Sequence, residues 1–437
     1  MRGGALVGPV RSLRGCWSAL PLLLACLVCS PATAEEKSVA ALKQRIVELE
    51  ARLADLERLV GDIRSPDALE VAVVEPQREP VEPGDAVKAS PPQSIEIGGA
   101  LRFNLLYRDD LESSVGKRGE SGLDIFRLNV DGAIDRLLVS AEYRFYPFMD
   151  VLHHGWVGYR FADDGQLEAG ITQVPFGLLP YAAHNAWFGV PYYIGMADDY
   201  DIGVKYHRQD GPWSAALAFF KGEELGDASN LERYSFDLVR VDDQQNEESN
   251  QFNARLAYTF GLGSSCETEV GGSMQLGEVY NDRTDNRGDR WAGAAHIDSR
   301  CGRWNFQLQG AAYDYAVENP SGIDRDTVRM GAFAGSYDVA SEGRVLVANV
   351  AYNLPPRWTF IDSITCYNDY SWLDKSLSGA RDSHINTLGC AVGSGPLFSY
   401  FDYILARNMP YFGEGSLAAG GEDDWQSRLN INIGYYW

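Results

Sequence analysis

From Ser94 to Trp437 apolar and polar side chains alternate with a period of two. In the first run Ile95, Ile97, Leu101, Phe103, Leu105 and Tyr107 fall on one face, and Glu96, Gly98, Ala100, Arg102, Asn104 and Arg108 on the other. Successive side chains of a strand point to opposite faces, so the pattern predicts strands with one apolar and one polar side. Phe126, Leu128 and Val130 repeat it against Arg127, Asn129 and Asp131, as do Val139, Ala141, Tyr143 and Phe145 against Ser140, Glu142, Arg144 and Tyr146. Similar runs recur near 154–161, 166–174, 200–208, 212–220, 251–260, 267–279, 290–299, 303–316, 327–338, 344–353, 358–372, 383–392 and 397–408. The last run sets Leu429, Ile431, Ile433, Tyr435 and Trp437 against Arg428, Asn430, Asn432, Gly434 and Tyr436. An open strand edge invites aggregation, so this run is expected to close against another strand.

The fold class expected is all-β: a transmembrane antiparallel β-barrel over residues 95–437. The runs number seventeen, and a barrel with both ends on one side of a membrane needs an even number. One run is therefore split or missed between 320 and 358, and 16 strands are expected. Short turns such as Asp163-Asp164-Gly165, Asp210-Gly211-Pro212 and Gly393-Ser394-Gly395-Pro396 suit the periplasmic side, and long acidic connections such as 222–248 and 409–424 the external side.

Ahead of the barrel the period changes. Val39, Leu42, Ile46, Leu49, Leu53, Leu56 and Val60 recur at steps of three and four, which predicts a coiled-coil helix over 35–63. Arg45 and Arg52 at g face Glu50 and Glu57 at the following e positions, a pairing that favours a parallel homo-oligomer. β-branched a positions with leucine at d suit two strands. Residues 64–94 hold Pro66, Pro76, Pro80, Pro83, Pro91 and Pro92 among acids and read as an extended linker. Residues 1–34 read as a secretory signal: Arg2, Arg11 and Arg14, an apolar run from Trp17 to Cys29, then Ala32-Thr33-Ala34. The apolar run falls short of the about 20 residues of a spanning helix. Leu23-Leu24-Ala25-Cys26 offers a lipoprotein-type alternative, weakened by the cleaner site downstream.

Net charge is −23, and removal of the leader would take three arginines and no acid, so nucleic acid is excluded as a partner. Glycine (45 residues) and aromatics (12%) fit small lumen-facing positions and aromatic girdles. Of seven cysteines, four follow the leader: Cys266, Cys301, Cys366 and Cys390. Cys266 and Cys301 are symmetric about the polar stretch 281–288, and Cys366 and Cys390 about 374–383. Each pair would face across a hairpin within disulfide range; free thiols are the alternative.

No catalytic constellation stands out, and neither a metal site nor a cofactor is expected. His153-His154 lacks companion ligands, and His184, followed by Asn185, is the one histidine to weigh for hydrolase chemistry, a structural or pore-lining role being the favoured reading. Under the alternation Arg102, Arg108, Arg127, Arg144, Arg160, Lys205, Arg255, Arg329 and Arg428 point inward, with Glu142 among the acids between them. Such a lumen favours anions, although any barrel places polar residues inside. Between the runs ending near Val174 and starting near Asp201 lies a segment rich in aromatics: Phe176, Tyr181, His184, Asn185, Trp187, Phe188, Tyr192 and Tyr193. Exposure of so many rings to water is costly, so the segment is expected to fold inward and narrow the lumen.

The segment Gly170-Ile171-Thr172-Gln173-Val174-Pro175-Phe176-Gly177-Leu178, the stretch Tyr367-Asn368-Asp369-Tyr370-Ser371, the coiled coil and the terminal aromatic together resemble the phosphate-selective porin (O and P type) family. The resemblance implies a trimeric, 16-stranded channel in the bacterial outer membrane, with its N-terminal helix in the periplasm, a basic lumen and an inward constriction loop. Its partners would be outer-membrane lipid, small hydrophilic solutes and further copies of the chain. Phosphate choice in that family rests on a dense arginine and lysine ladder, and basic residues are fewer here. A non-conducting barrel serving as adhesin or envelope tether is a second reading, and an outer-membrane hydrolase a third.

Overall fold

The computed structural model describes residues 93–421 and 424–437. The expected leader and coiled coil, and all but the last two residues of the expected linker, lie outside the described residues. In chain order the strands are β1 (Gln93–Arg108), β2 (Glu120–Ile134), β3 (Leu137–Phe145), β4 (Asp150–Arg160), β5 (Gln166–Gln173), β6 (Tyr200–Asp210), β7 (Trp213–Glu223), β8 (Asp237–Leu238), β9 (Asn246–Phe260) and β10 (Cys266–Asn281). They continue as β11 (Asn286–Cys301), β12 (Trp304–Ala316), β13 (Thr327–Ala332), β14 (Gly335–Ala340), β15 (Glu342–Leu354), β16 (Ser363–Lys375), β17 (Ser383–Ser394), β18 (Leu397–Arg407) and β19 (Gln426–Tyr436).

Sixteen of these strands form one closed antiparallel barrel, and β8, β13 and β14 form a separate three-stranded sheet. The barrel closes where β19 meets β1, in a register running from Ala100 opposite Tyr436 to Arg108 opposite Arg428. Beyond the register Gly99 and Trp437 exchange backbone hydrogen bonds of 3.1 and 3.2 Å. Closure leaves no strand edge to be solvated, which is what allows strands to cross lipid.

The alternation dictates which face is which. Ile95, Ile97, Phe103, Leu105, Leu217, Phe219, Leu256, Leu388, Phe401 and Leu429 point outward and are exposed. In water such a belt would be an aggregation surface, whereas acyl chains cover it at no cost. Tyr159, Trp213, Tyr258, Phe260, Trp304 and Trp437 gather outside the short turns, as an interfacial girdle does. These turns share one end of the barrel with the start of β1, and the long connections all lie at the other, far end.

The seventeenth run is the one that is not a barrel strand. Residues 327–338 split into the β13–β14 hairpin, turned at Phe333 and Ala334, which take φ of 53° and 59°. Val328, Met330, Ala332 and Val339 are buried in a core shared with the inward loop instead of facing lipid. Six-residue strands are also shorter than the about 9–11 residues a bilayer crossing needs. The expected strand at 358–372 begins later, at Ser363, because 355–362 forms the preceding turn.

In the register Cys266 stands opposite Cys301 and Cys366 opposite Cys390. Cα atoms are 3.9 Å apart in each couple, and an S–S bond joins each.

Candidate functional site

The connection between β5 and β6, residues 174–199, turns into the barrel and is fixed to the opposite wall by polar side chains. Backbone N–H groups of Gly177 and Leu178 donate to Ser273 Oγ (2.9 Å) and Gln309 Oε1 (2.7 Å). Further along, Asn349 Nδ2 donates to Ala182 O (3.1 Å), and the Val190 N–H donates to Ser371 Oγ (2.8 Å). Asp369 takes the largest share: its carboxylate accepts from the His184 N–H (2.6 Å), the Asn185 N–H (3.0 Å) and Asn185 Nδ2 (2.8 Å). His184 Nδ1 lies 2.7 Å from the same carboxylate. A loop buried without such partners would strand its backbone polar groups, so these anchors are what allow it to occupy the lumen.

With the backbone satisfied, the apolar side chains of the loop build a core. Phe176, Leu178, Val190, Tyr192, Tyr193, Ile194 and Met196 pack with Tyr234, Phe236, Met330 and Val339 from the far-end connections. Asp198 accepts from the hydroxyls of Tyr234, at short range, and Tyr200 (3.3 Å). Burial raises the Asp198 carboxyl above the usual range, more than its Tyr234 hydrogen bond and the Arg144 charge lower it.

What remains of the lumen on one side is a cavity of about 1160 Å³. Its wall from β1, β2, β3 and β19 supplies Arg102, Arg108, Arg127, Arg144 and Arg428, while the loop supplies Tyr181, Asn185, Trp187, Phe188, Tyr192 and Tyr193. The acids lining it are Asp124, Glu142 and Asp198, fewer than the arginines. Arg102 pairs with Asp124 (2.7 Å), and Glu142 receives Arg144 Nε (2.5 Å) and Arg127 Nη1 (3.4 Å). Arg428 lies 3.7 Å from the Phe412 ring centroid and 5.3 Å from that of Trp187, and Arg144 lies 4.6 Å from that of Tyr234. Ring faces and carboxylates thus hold the guanidinium groups in place along a cationic wall.

The sequence-expected residues do not all meet there. Lys205 bonds Glu168 (3.0 Å) and Gln173 O (3.0 Å) of the adjacent strand β5, and Arg255 bonds Gly177 O (2.9 Å) and Glu269 (2.5 Å), so Lys205 ties β6 to β5 and Arg255 braces the loop. Arg160 is exposed at the end of β4, outside the cavity lining. Arg329 was expected on the lumen wall; it lies instead in β13, off the barrel, paired with Asp338 at 2.6 Å. Phe176 is buried in the loop core and does not line the cavity. Asp124, Asp198, Tyr234 and Asn305 carry no sequence signal, and Asp369 has one only as part of the Tyr367–Ser371 stretch, because only the register and the path of the loop bring them to the site.

His184 carries no hydrolase geometry. Its Nδ1 is held by Asp369 and its Nε2 lies 2.7 Å from Asn305 Oδ1, an amide oxygen, so the position where a hydrolase would put its hydroxyl or thiol is taken by a group that cannot give up a proton. In the His153-His154 pair the two Nδ1 atoms lie 2.9 Å apart, and His154 Nε2 lies 3.0 Å from Ser140 Oγ.

No family model and no curated protein sequence matches the chain. Solved structures do match in fold. The outer membrane channel DcaP of Acinetobacter baumannii is similar with a TM-score of 0.54 at 11% identity, over 79% of this chain and 97% of that one. OmpF of Salmonella typhi, in complex with daunomycin, gives 0.53 at 11% identity, over 78% and 97%. An anion-selective porin from Comamonas acidovorans gives 0.51 at 12% identity, over 79% and 100%. The fold is therefore that of the 16-stranded outer-membrane barrels, with a long loop turned into its lumen.

Proposed function

We propose that the protein is an outer-membrane channel for passive diffusion of small hydrophilic solutes, with a preference for anions such as phosphate. The observation that carries this reading is the gathering of Arg102, Arg108, Arg127, Arg144 and Arg428 on one cavity, in a chain whose net charge is −23. Cations fixed in a narrow, low-dielectric passage raise the local concentration of anions however acidic the rest of the surface is. Aromatic rings on the facing loop add apolar contact for solutes with a carbon skeleton. Two of the similar structures, an outer membrane channel and an anion-selective porin, support the reading.

In this proposal residues 1–34 direct export, the coiled coil at 35–63 joins copies of the chain in the periplasm, and the linker at 64–94 connects it to the barrel. The assembly is a trimer, as in the family that the sequence resembles. Reconstitution of the purified protein in a planar bilayer tests the function directly. Reversal potentials in a salt gradient are expected to show anion preference; cation preference would remove the selectivity. Absence of any current would leave the tether or adhesin reading.

A further inference from the structure

We infer that Asp199, Asp201 and Asp237, completed by the side-chain oxygen of Gln251, form a binding site for one calcium ion inside the far rim of the barrel. The three carboxylates each offer an oxygen within 4.8 Å of the others. All four side chains are sealed from water, the most exposed of them at 5%. Asp199 Oδ1 and Asp201 Oδ1 are buried without a hydrogen-bond donor among the described residues. Gln251 is an independent sign. Its Nε2 donates to Asp201 Oδ2 (3.1 Å), which fixes the amide orientation and leaves Oε1 buried without a donor.

Protein cations do not account for this charge. Arg233 Nη1 lies 3.3 Å from Glu223 and from Asp237, and 4.0 Å from Glu224. Arg290 is bonded to Glu248 and stacked over Tyr315. Arg233 thus reaches Glu223, Glu224 and Asp237, and Arg290 is the guanidinium near Asp199 and Asp201, so two guanidinium groups face six buried carboxylates, those of Asp199, Asp201, Glu223, Glu224, Asp237 and Glu248. Buried anions require a partner, and a cage of carboxylate and amide oxygens suits a hard divalent cation of calcium type.

The location gives the ion a structural role. Asp199 ends the inward loop, and its backbone C=O accepts from the Val174 N–H (2.8 Å) where that loop begins. Asp201 belongs to β6 and stands opposite Glu223 of β7; Gln251 belongs to β9, and Asp237 to β8 of the small sheet. One ion joins the root of the loop, the wall and the far-end sheet.

The test is calorimetric titration of CaCl2 into the folded, chelator-stripped full-length protein. One tight equivalent per chain is expected, weakened about tenfold or more in Asp199→Asn and in Gln251→Met. Both variants are checked for folding by heat-modifiable gel mobility. Calcium is expected to raise the thermal midpoint of the wild type and not that of Asp199→Asn. No uptake by the wild type, which would mean the carboxyls are held by protons, overturns the site whatever the variants do. Equal affinity in folded Asp199→Asn and Gln251→Met overturns it as well, since calcium would then sit on surface acids. The readout is binding and not current, so its failure leaves the channel reading untouched.

Discussion

His184 Nδ1 lies 2.7 Å from Asp369 Oδ1 while its Nε2 lies 2.7 Å from Asn305 Oδ1. Asn305 Nδ2 is committed to Asp298 (2.5 Å), so its oxygen faces the ring. Both neighbours of the imidazole are acceptors, and only the imidazolium donates from both nitrogens. Burial opposes that charge, but the Asp369 hydrogen bond and charge outweigh it and raise the His184 pKa. A raised folded value stabilises the loop fully below the unfolded value of about 6.5, and the benefit is lost as pH rises through the folded value. Hydrogen exchange in 176–194, corrected for intrinsic rates, is therefore expected to quicken as pH rises above the unfolded value of about 6.5, and to lose this dependence in His184→Gln. A pH-independent profile in the wild type would refute the imidazolium anchor.

Selectivity is expected to follow the wall arginines. A unit charge about 4 Å from a passing ion is worth about 1 kcal/mol even in water, or about fivefold in relative permeability. Arg102→Ala and Arg144→Ala should each reduce anion preference by up to this factor, and Glu142→Gln should increase it. Arg329→Ala, off the barrel wall, should leave reversal potentials unchanged.

The seam has its own check. A Cβ on Gly99 would sit 2.5 Å from both Arg127 O and the Trp437 ring. Gly99→Val is expected to destabilise closure by about 1–3 kcal/mol or more, seen as loss of the folded, heat-modifiable band.

Oxidation of the two cysteine couples is expected in the exported protein. The bridges close segments of 35 and 24 residues, each worth about 3–4 kcal/mol in the chain-entropy account. Reductant should slow the heat-denatured band on a gel and lower the thermal midpoint. Replacing all four cysteines by serine should abolish both effects.

By itself the sequence determined the barrel. Alternation places Arg102 and Leu105 on opposite faces whatever surrounds them, because the period of two is a property of the extended backbone. Cysteine spacing about the hairpin loops likewise anticipated the facing positions, since antiparallel register is a sum of residue numbers. The aromatic content of 176–193 foretold an inward loop, because water rejects that many rings. Only the tertiary structure decided which neighbours matter. Asp369 and Ser371 in the Tyr367–Ser371 stretch become anchors for His184, Asn185 and Val190 across the lumen, at sequence separations near 180 that no local pattern encodes. It also decided that the alternating run at 327–338 is a hairpin in the buried core, since alternation reports two faces of a strand and not whether lipid or a folded loop covers them.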